Sequence, residues 1–133
     1  MLWGGGDAAR APRGRWAEGA HPPPPPPPRP QLFLGPAGSG APFHFHKDAV
    51  NLLLVGRKSW FLTPPSSASY ATVPAAVWVA HGMERPGGGD LLTCIQEEGD
   101  AMYVPSGWGH AVLNLEAAAG VALEWSSPWV ASI

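Results

Sequence analysis

The chain has a single cysteine, Cys94, in 133 residues. An internal disulfide is excluded, and so is a zinc cluster built from several thiolates. Within Thr93-Cys94-Ile95 that cysteine is expected to be a small buried apolar residue. Charge is scarce too: Asp, Glu, Lys and Arg make up 14% of the chain, and the net charge is −2. What charge there is divides unevenly. Residues 1–30 carry Arg10, Arg13, Arg15 and Arg29 against Asp7 and Glu18, a balance of +2. Residues 31–133 carry four basic and eight acidic side chains, a balance of −4. An acidic domain without a basic stripe excludes nucleic acid as the expected partner, because phosphate binding needs neutralising cations. No run approaches the ~20 apolar residues of a membrane span. The N-terminal residues lack the roughly 7–15-residue apolar stretch of a secretory signal. Gly-Gly-Gly, Ala-Ala-Arg and Pro-Arg-Gly-Arg have some transit-peptide character, opposed by Asp7 and few serines, so no compartment is indicated.

Glycine and proline, in contrast, number 17 each, and nine of the prolines precede residue 31. Pro22 to Pro28 is an unbroken run, which adopts an extended polyproline II helix. Residues 1–30 are therefore expected to be a disordered Pro/Gly-rich segment, and residues 31–133 one globular domain. The tract has the composition of a stiff linker, or of an SH3 or profilin ligand.

After the tract, short apolar runs alternate with turn residues. Gln31–Leu34, Pro42–His46, Asn51–Val55, Lys58–Thr63, Leu91–Gln96, Ala101–Val104, Ala111–Leu115 and Val121–Trp125 read as eight strands. Gly56-Arg57 reads as a tight hairpin connection. Ala75–Val79 reads as a short helical turn in the otherwise unpatterned stretch 66–90. Many short strands and no long amphipathic helix predict an all-β sandwich or barrel.

Three histidines and a lysine carry chemistry in this pattern. In Phe43-His44-Phe45-His46 alternation sends both rings of Phe one way and both imidazoles the other. Same-face residues of a strand stand about 6.6 Å apart, close enough for two imidazoles to reach one metal ion. Asp48 is the next residue on that face if the strand continues. His110 begins an apolar run behind the turn Pro105-Ser106-Gly107-Trp108-Gly109, placed to point into a barrel. Lys58 shares a face with Trp60 and Leu62, has no acidic neighbour in sequence, and is costly to bury unpaired. It either snorkels to the surface or pairs with a ligand carboxylate, with Asn51 on the preceding strand adding a hydrogen bond. His21 and His81 fall in the proline tract and a loop.

These segments resemble those of JmjC-domain proteins. Gly38-Ser39-Gly40-Ala41-Pro42-Phe43-His44-Phe45-His46 is similar to the first metal-ligand motif. Asn51 with Gly56-Arg57-Lys58-Ser59-Trp60-Phe61-Leu62-Thr63-Pro64-Pro65 is similar to the family's cosubstrate segment. Glu98-Gly99-Asp100 through Pro105, Trp108 and His110 is similar to its second-ligand segment. The three occur in family order over about residues 31–125, and the small hydroxylase-like members are most similar.

The resemblance implies a double-stranded β-helix, that is, a jelly-roll or cupin-like barrel. It implies Fe(II) on a facial triad with open positions, and 2-oxoglutarate as cosubstrate. Carried over, His44, His46 and His110 hold the metal, and Lys58 binds the distal carboxylate with Asn51 assisting. A protein or peptide substrate is implied, hydroxylated on a side chain. Two residues depart from the pattern. His46 stands where the family has Asp or Glu, which opens the alternative of a catalytically impaired metal-binding or scaffold module. Ala41 stands where Thr is common. Family members also carry helices and strands ahead of the first motif, where this chain has prolines, so the barrel is expected to be minimal or truncated.

Overall fold

The computed structural model describes residues 27, 28, 30–81 and 89–126. Eight strands form: β1 (Pro30–Gly35), β2 (Gly40–His44), β3 (Asp48–Val55), β4 (Lys58–Thr63), β5 (Leu92–Gln96), β6 (Ala101–Val104), β7 (Gly109–Asn114) and β8 (Ala118–Trp125). The helical turn expected at Ala75–Val79 is α1, Ala75–His81. The strands build two four-stranded sheets, ordered β1-β8-β3-β6 and β2-β7-β4-β5. Every pairing is antiparallel. The fold is all-β, a jelly-roll of the cupin kind, in agreement with the motif order. The polyproline run lies outside the described residues except for Pro27 and Pro28, and so does the SH3 or profilin expectation attached to it. No helix among the described residues is long and apolar enough to cross a membrane.

Alternation along β4 decides which side chains meet where. Trp60 and Leu62 face the space between the sheets and pack with Val104, Val112, Met102 and Trp108. Phe61 faces the other way and packs with Phe43, Ala75, Ala111 and Trp78, so α1 covers the outer face of its sheet. Two T-shaped contacts fix this cover, with Trp78 ring centroids 5.6 Å from Phe43 and 5.1 Å from Phe61. Burial of this size on both faces anchors the second sheet and makes it a rigid platform for the site.

The hairpin expectation at Gly56-Arg57 is corrected. β3 and β4 belong to different sheets, so this pair carries the chain across the barrel rather than folding it back. Two apolar strands with a two-residue gap look alike in either case. The crossing needs glycine: Gly56 has φ +89°, and a Cβ there would lie 2.1 Å from the Ala117 carbonyl oxygen. Arg57 then accepts the Leu115 amide at 2.8 Å, tying the crossing to the β7–β8 connection.

Candidate functional site

The two sheets enclose a cavity of about 450 Å³, within the range that holds a small molecule. His44, His46, His110, Lys58 and Asn51 all line it. Each reaches it from a different local structure.

His44 is the last residue of β2 and lies directly opposite His110 on β7. Residues opposite one another in an antiparallel pair point to the same face, so this register alone joins two distant parts of the sequence. His46 is reached differently from the expectation. β2 ends at His44, with an irregular register between Ala41 and His44, so the two histidines do not share a strand. The chain leaves the sheet through Phe45, and the His46 carbonyl accepts the Gly107 amide at 2.9 Å. The turn that precedes His110 therefore also fixes His46. Asp48 is not a neighbour of the imidazoles in function. Its Oδ1 accepts the Tyr103 hydroxyl at 2.7 Å and the Ser106 amide at 3.1 Å, which clamps the start of β3 to the β6–β7 turn.

The imidazoles converge. One ring nitrogen from each lies within 4.8 Å of the others, and the His44 and His110 ring centroids are 4.2 Å apart. In all three rings Nδ1 faces a backbone carbonyl: Pro42 at 2.8 Å for His44, Lys47 at 2.7 Å for His46, and Trp108 at 3.0 Å for His110. A carbonyl can only accept, so Nδ1 carries the proton and donates. That tautomer leaves the Nε2 lone pair of each ring for a metal, the arrangement in which outer hydrogen bonds orient ligand histidines. His110 is 3% exposed. Burial, reinforced by its two imidazole neighbours, pushes its pKa down to about 4, so the ring is neutral, the ligand form, at physiological pH. The donor set fits a divalent transition metal with three nitrogens and vacant positions.

Lys58 opens β4 and is 5% exposed, with Asn114 opposite on β7 and Gln96 opposite on β5. Burial pushes its ammonium down to about 8. Its Nζ lies 3.3 Å from the centroid of the Phe33 ring, a cation–π contact that offsets part of the desolvation. No described carboxylate pairs with it. Asn51 sits on β3 in the opposite sheet, and its buried Oδ1 has no hydrogen-bond partner. A buried amide oxygen left without a donor is a costly feature, and here it is on the wall of the same cavity as the lysine.

Several supporting residues were not evident in the sequence. Phe33 covers Lys58 from β1. Gln96 accepts the Trp60 indole N–H at 2.8 Å and donates to the Asn51 carbonyl at 2.8 Å, so it holds the cavity floor to both sheets. Asn114 donates to the Ser39 hydroxyl at 2.9 Å. Glu124 on β8 stands beside His46. Their signal was cross-strand register, which appears only once the pairing is known. Cys94 corrects an expectation: it is half-buried rather than buried, and burial raises its thiol pKa, so it offers no thiolate.

A cupin-like barrel with a convergent three-imidazole cluster beside a buried lysine is the class that fold and site define. The chain is, more particularly, similar to JmjC-domain proteins. It is 35% identical over 88 residues to JmjC domain-containing protein 8 of Rattus norvegicus, covering 60% of this chain and 31% of that protein. It is 30% identical over 112 residues to the 2-oxoglutarate and iron-dependent oxygenase JMJD4 of Gallus gallus, covering 71% of this chain and 25% of that protein. The chain thus spans about a third or less of the length of these curated relatives. Among solved structures, the ribosomal oxygenase YcfD of Escherichia coli superposes with a TM-score of 0.55 at 17% identity, over 77% of this chain and 24% of that one. A cupin superfamily protein of Desulfitobacterium hafniense superposes with a TM-score of 0.50 at 13% identity, over 77% and 70%. Likeness at such identities establishes the fold. No family model matches the chain.

Proposed function

We propose that residues 31–133 form the JmjC-like cupin domain of an Fe(II)- and 2-oxoglutarate-dependent oxygenase acting on a protein or peptide side chain. His44, His46 and His110 hold the iron, Lys58 takes the distal carboxylate of 2-oxoglutarate, and Asn51 assists. The observation that carries the reading is Lys58. An ammonium buried without a carboxylate partner among the described residues, in one cavity with three convergent imidazoles, is a binding group waiting for an anion. Iron supplies the oxygen chemistry when bound with the cosubstrate.

The chain's own residues do the rest. Lys58 fixes one end of the dicarboxylate, and Trp60, Val104 and Val112 exclude water from the floor. The Nδ1 hydrogen bonds keep the three rings oriented before any ligand arrives. The Asn51 Oδ1 accepts a hydrogen bond from a bridging water, or, with the side-chain amide rotated, its Nδ2 donates to the ligand carboxylate.

The lowered pKa of Lys58 gives a pH signature. Only the ammonium attracts a carboxylate. It is mostly charged at pH 7 and mostly neutral at pH 9, because its pKa of about 8 lies between them. The apparent affinity for 2-oxoglutarate is therefore expected to fall roughly tenfold from pH 7 to pH 9. Calorimetric titration at the two pH values checks this. A lysine at its ordinary value would leave affinity flat across the same window.

His46 favours a second reading, a metal-binding module with impaired turnover. A carboxylate ligand offsets one unit of the ion's charge and an imidazole none. The two readings separate in a succinate-release assay on wild type and His46→Asp. The oxygenase reading expects Fe(II)-dependent release by the wild type. Release by His46→Asp alone establishes the impaired module.

A further inference from the structure

We propose that Phe33 selects the length of the cosubstrate: its ring closes the Lys58 end of the cavity and fixes the ammonium, so that a five-carbon 2-oxo dicarboxylate fits between metal and lysine and a six-carbon one is refused. The inference deepens the proposed function and rests on that reading of Lys58 and the three histidines.

Both groups line one cavity, but they start from different ends of it. Lys58 stands opposite Asn114 on β7, and Leu62 stands opposite His110. The backbone origins of the ammonium and of the metal site are thus four residues apart along β4, roughly 13 Å. A ligand that touches both must match what the lysine side chain leaves of that distance. The span is therefore set by where the lysine head is held.

Among the described residues no hydrogen bond or ion pair holds that head. The polar side chains opposite it are engaged elsewhere. Gln96 donates its amide to the Asn51 and Asp100 carbonyls, at 2.8 and 3.0 Å, and Asn114 donates to Ser39. What remains is the Phe33 ring, with its centroid 3.3 Å from Nζ. At that distance the ring attracts the cation and also stops it from withdrawing further.

The ring is itself fixed. Phe33 on β1 lies opposite Gly120 on β8, and Gly120 lies opposite Leu53 on β3. Leu53 is fully buried, and opposite residues share a face, so Phe33 points into the barrel. A Cβ at Gly120 would collide with the ring's Cζ and with the Leu52 carbonyl oxygen. The glycine thus makes the recess that receives the ring tip. Gly120 is four residues along β8 from Glu124, the neighbour of His46, so the ring forms a wall at the end away from the imidazoles. It reaches from the first sheet to the lysine of the second.

The test is calorimetric titration of the Fe(II)-loaded chain under argon with two probes, 2-oxoglutarate and 2-oxoadipate, which differ by one methylene. Wild type is expected to bind 2-oxoglutarate at least about tenfold more tightly, the discrimination that one methylene gives in a fitted pocket. Phe33→Ala is expected to bring the two affinities within about threefold of one another, with 2-oxoadipate gaining. Phe33→Leu loses less volume over the same recess and should lower the ratio in the same direction, so it carries the test if Phe33→Ala does not fold. An unchanged ratio overturns the proposal, including the case in which both ligands are lost in equal proportion and the ring only supports Lys58. A wild type that binds the two probes equally also overturns it, and leaves the proposed function standing. A wild type that binds neither probe overturns the cosubstrate reading itself, and the role of Phe33 with it.

Discussion

Lys58→Ala is expected to lower the affinity for 2-oxoglutarate by at least about thirtyfold, with Fe(II) binding changed by no more than about threefold. The magnitude follows from the surroundings. Lys58 is buried on a rigid strand, between Asn114 and Gln96 and under the Phe33 ring. A carboxylate entering the cavity would meet one cation and little competing water. Truncating one partner of such a pair leaves the other charge desolvated and unpaired, which costs about 2–5 kcal/mol. Folding is not threatened, because the substitution removes the burden of burying an unpaired ammonium. Lys58→Met keeps the aliphatic stem against Phe33 and separates lost packing from lost charge. Both variants should lose 2-oxoglutarate and keep iron, measured by anaerobic calorimetry. Unchanged cosubstrate affinity in both would remove the assigned role of Lys58.

His110→Ala is expected to weaken Fe(II) binding by more than about a hundredfold. Loss of an outer hydrogen-bond partner of a ligand already costs about ten- to a hundredfold, and His110 is a ligand itself. It is the most buried of the three imidazoles and is held by the Trp108 carbonyl behind it and His44 opposite it. No other described histidine, cysteine or acidic group joins the cluster to replace it. His44→Ala should behave in the same way, and equilibrium dialysis against Fe(II) under argon measures both. Retention of iron by either would disperse the proposed centre.

Much of this was legible in the sequence because strand chemistry is local. Eight apolar runs between turn residues gave eight strands, and the Gly-Trp-Gly-His turn placed His110 at the start of one. The His44 and His46 rings converge by a route that the sequence pattern does not show. Alternation along one strand was expected to align His44 and His46. Instead β2 stops at His44, and a backbone bond from the Gly107 amide brings His46 in. The crossing at Gly56-Arg57 was misread because a two-residue gap does not say to which sheet the next strand belongs. Phe33, Gln96, Asn114 and Glu124 were missed for one shared reason. Each acts across strands far apart in sequence, and long-range register is not written in any single segment.

The three imidazoles and Lys58 form, in the reading proposed above, one site for iron and 2-oxoglutarate. The most direct test is calorimetric titration of 2-oxoglutarate into Fe(II)-loaded wild-type protein under argon. Saturable binding with one cosubstrate per chain is expected, lost when the iron is removed and weakened when Lys58 is replaced. Protein that binds Fe(II) at His44, His46 and His110 but never takes up 2-oxoglutarate would contradict it.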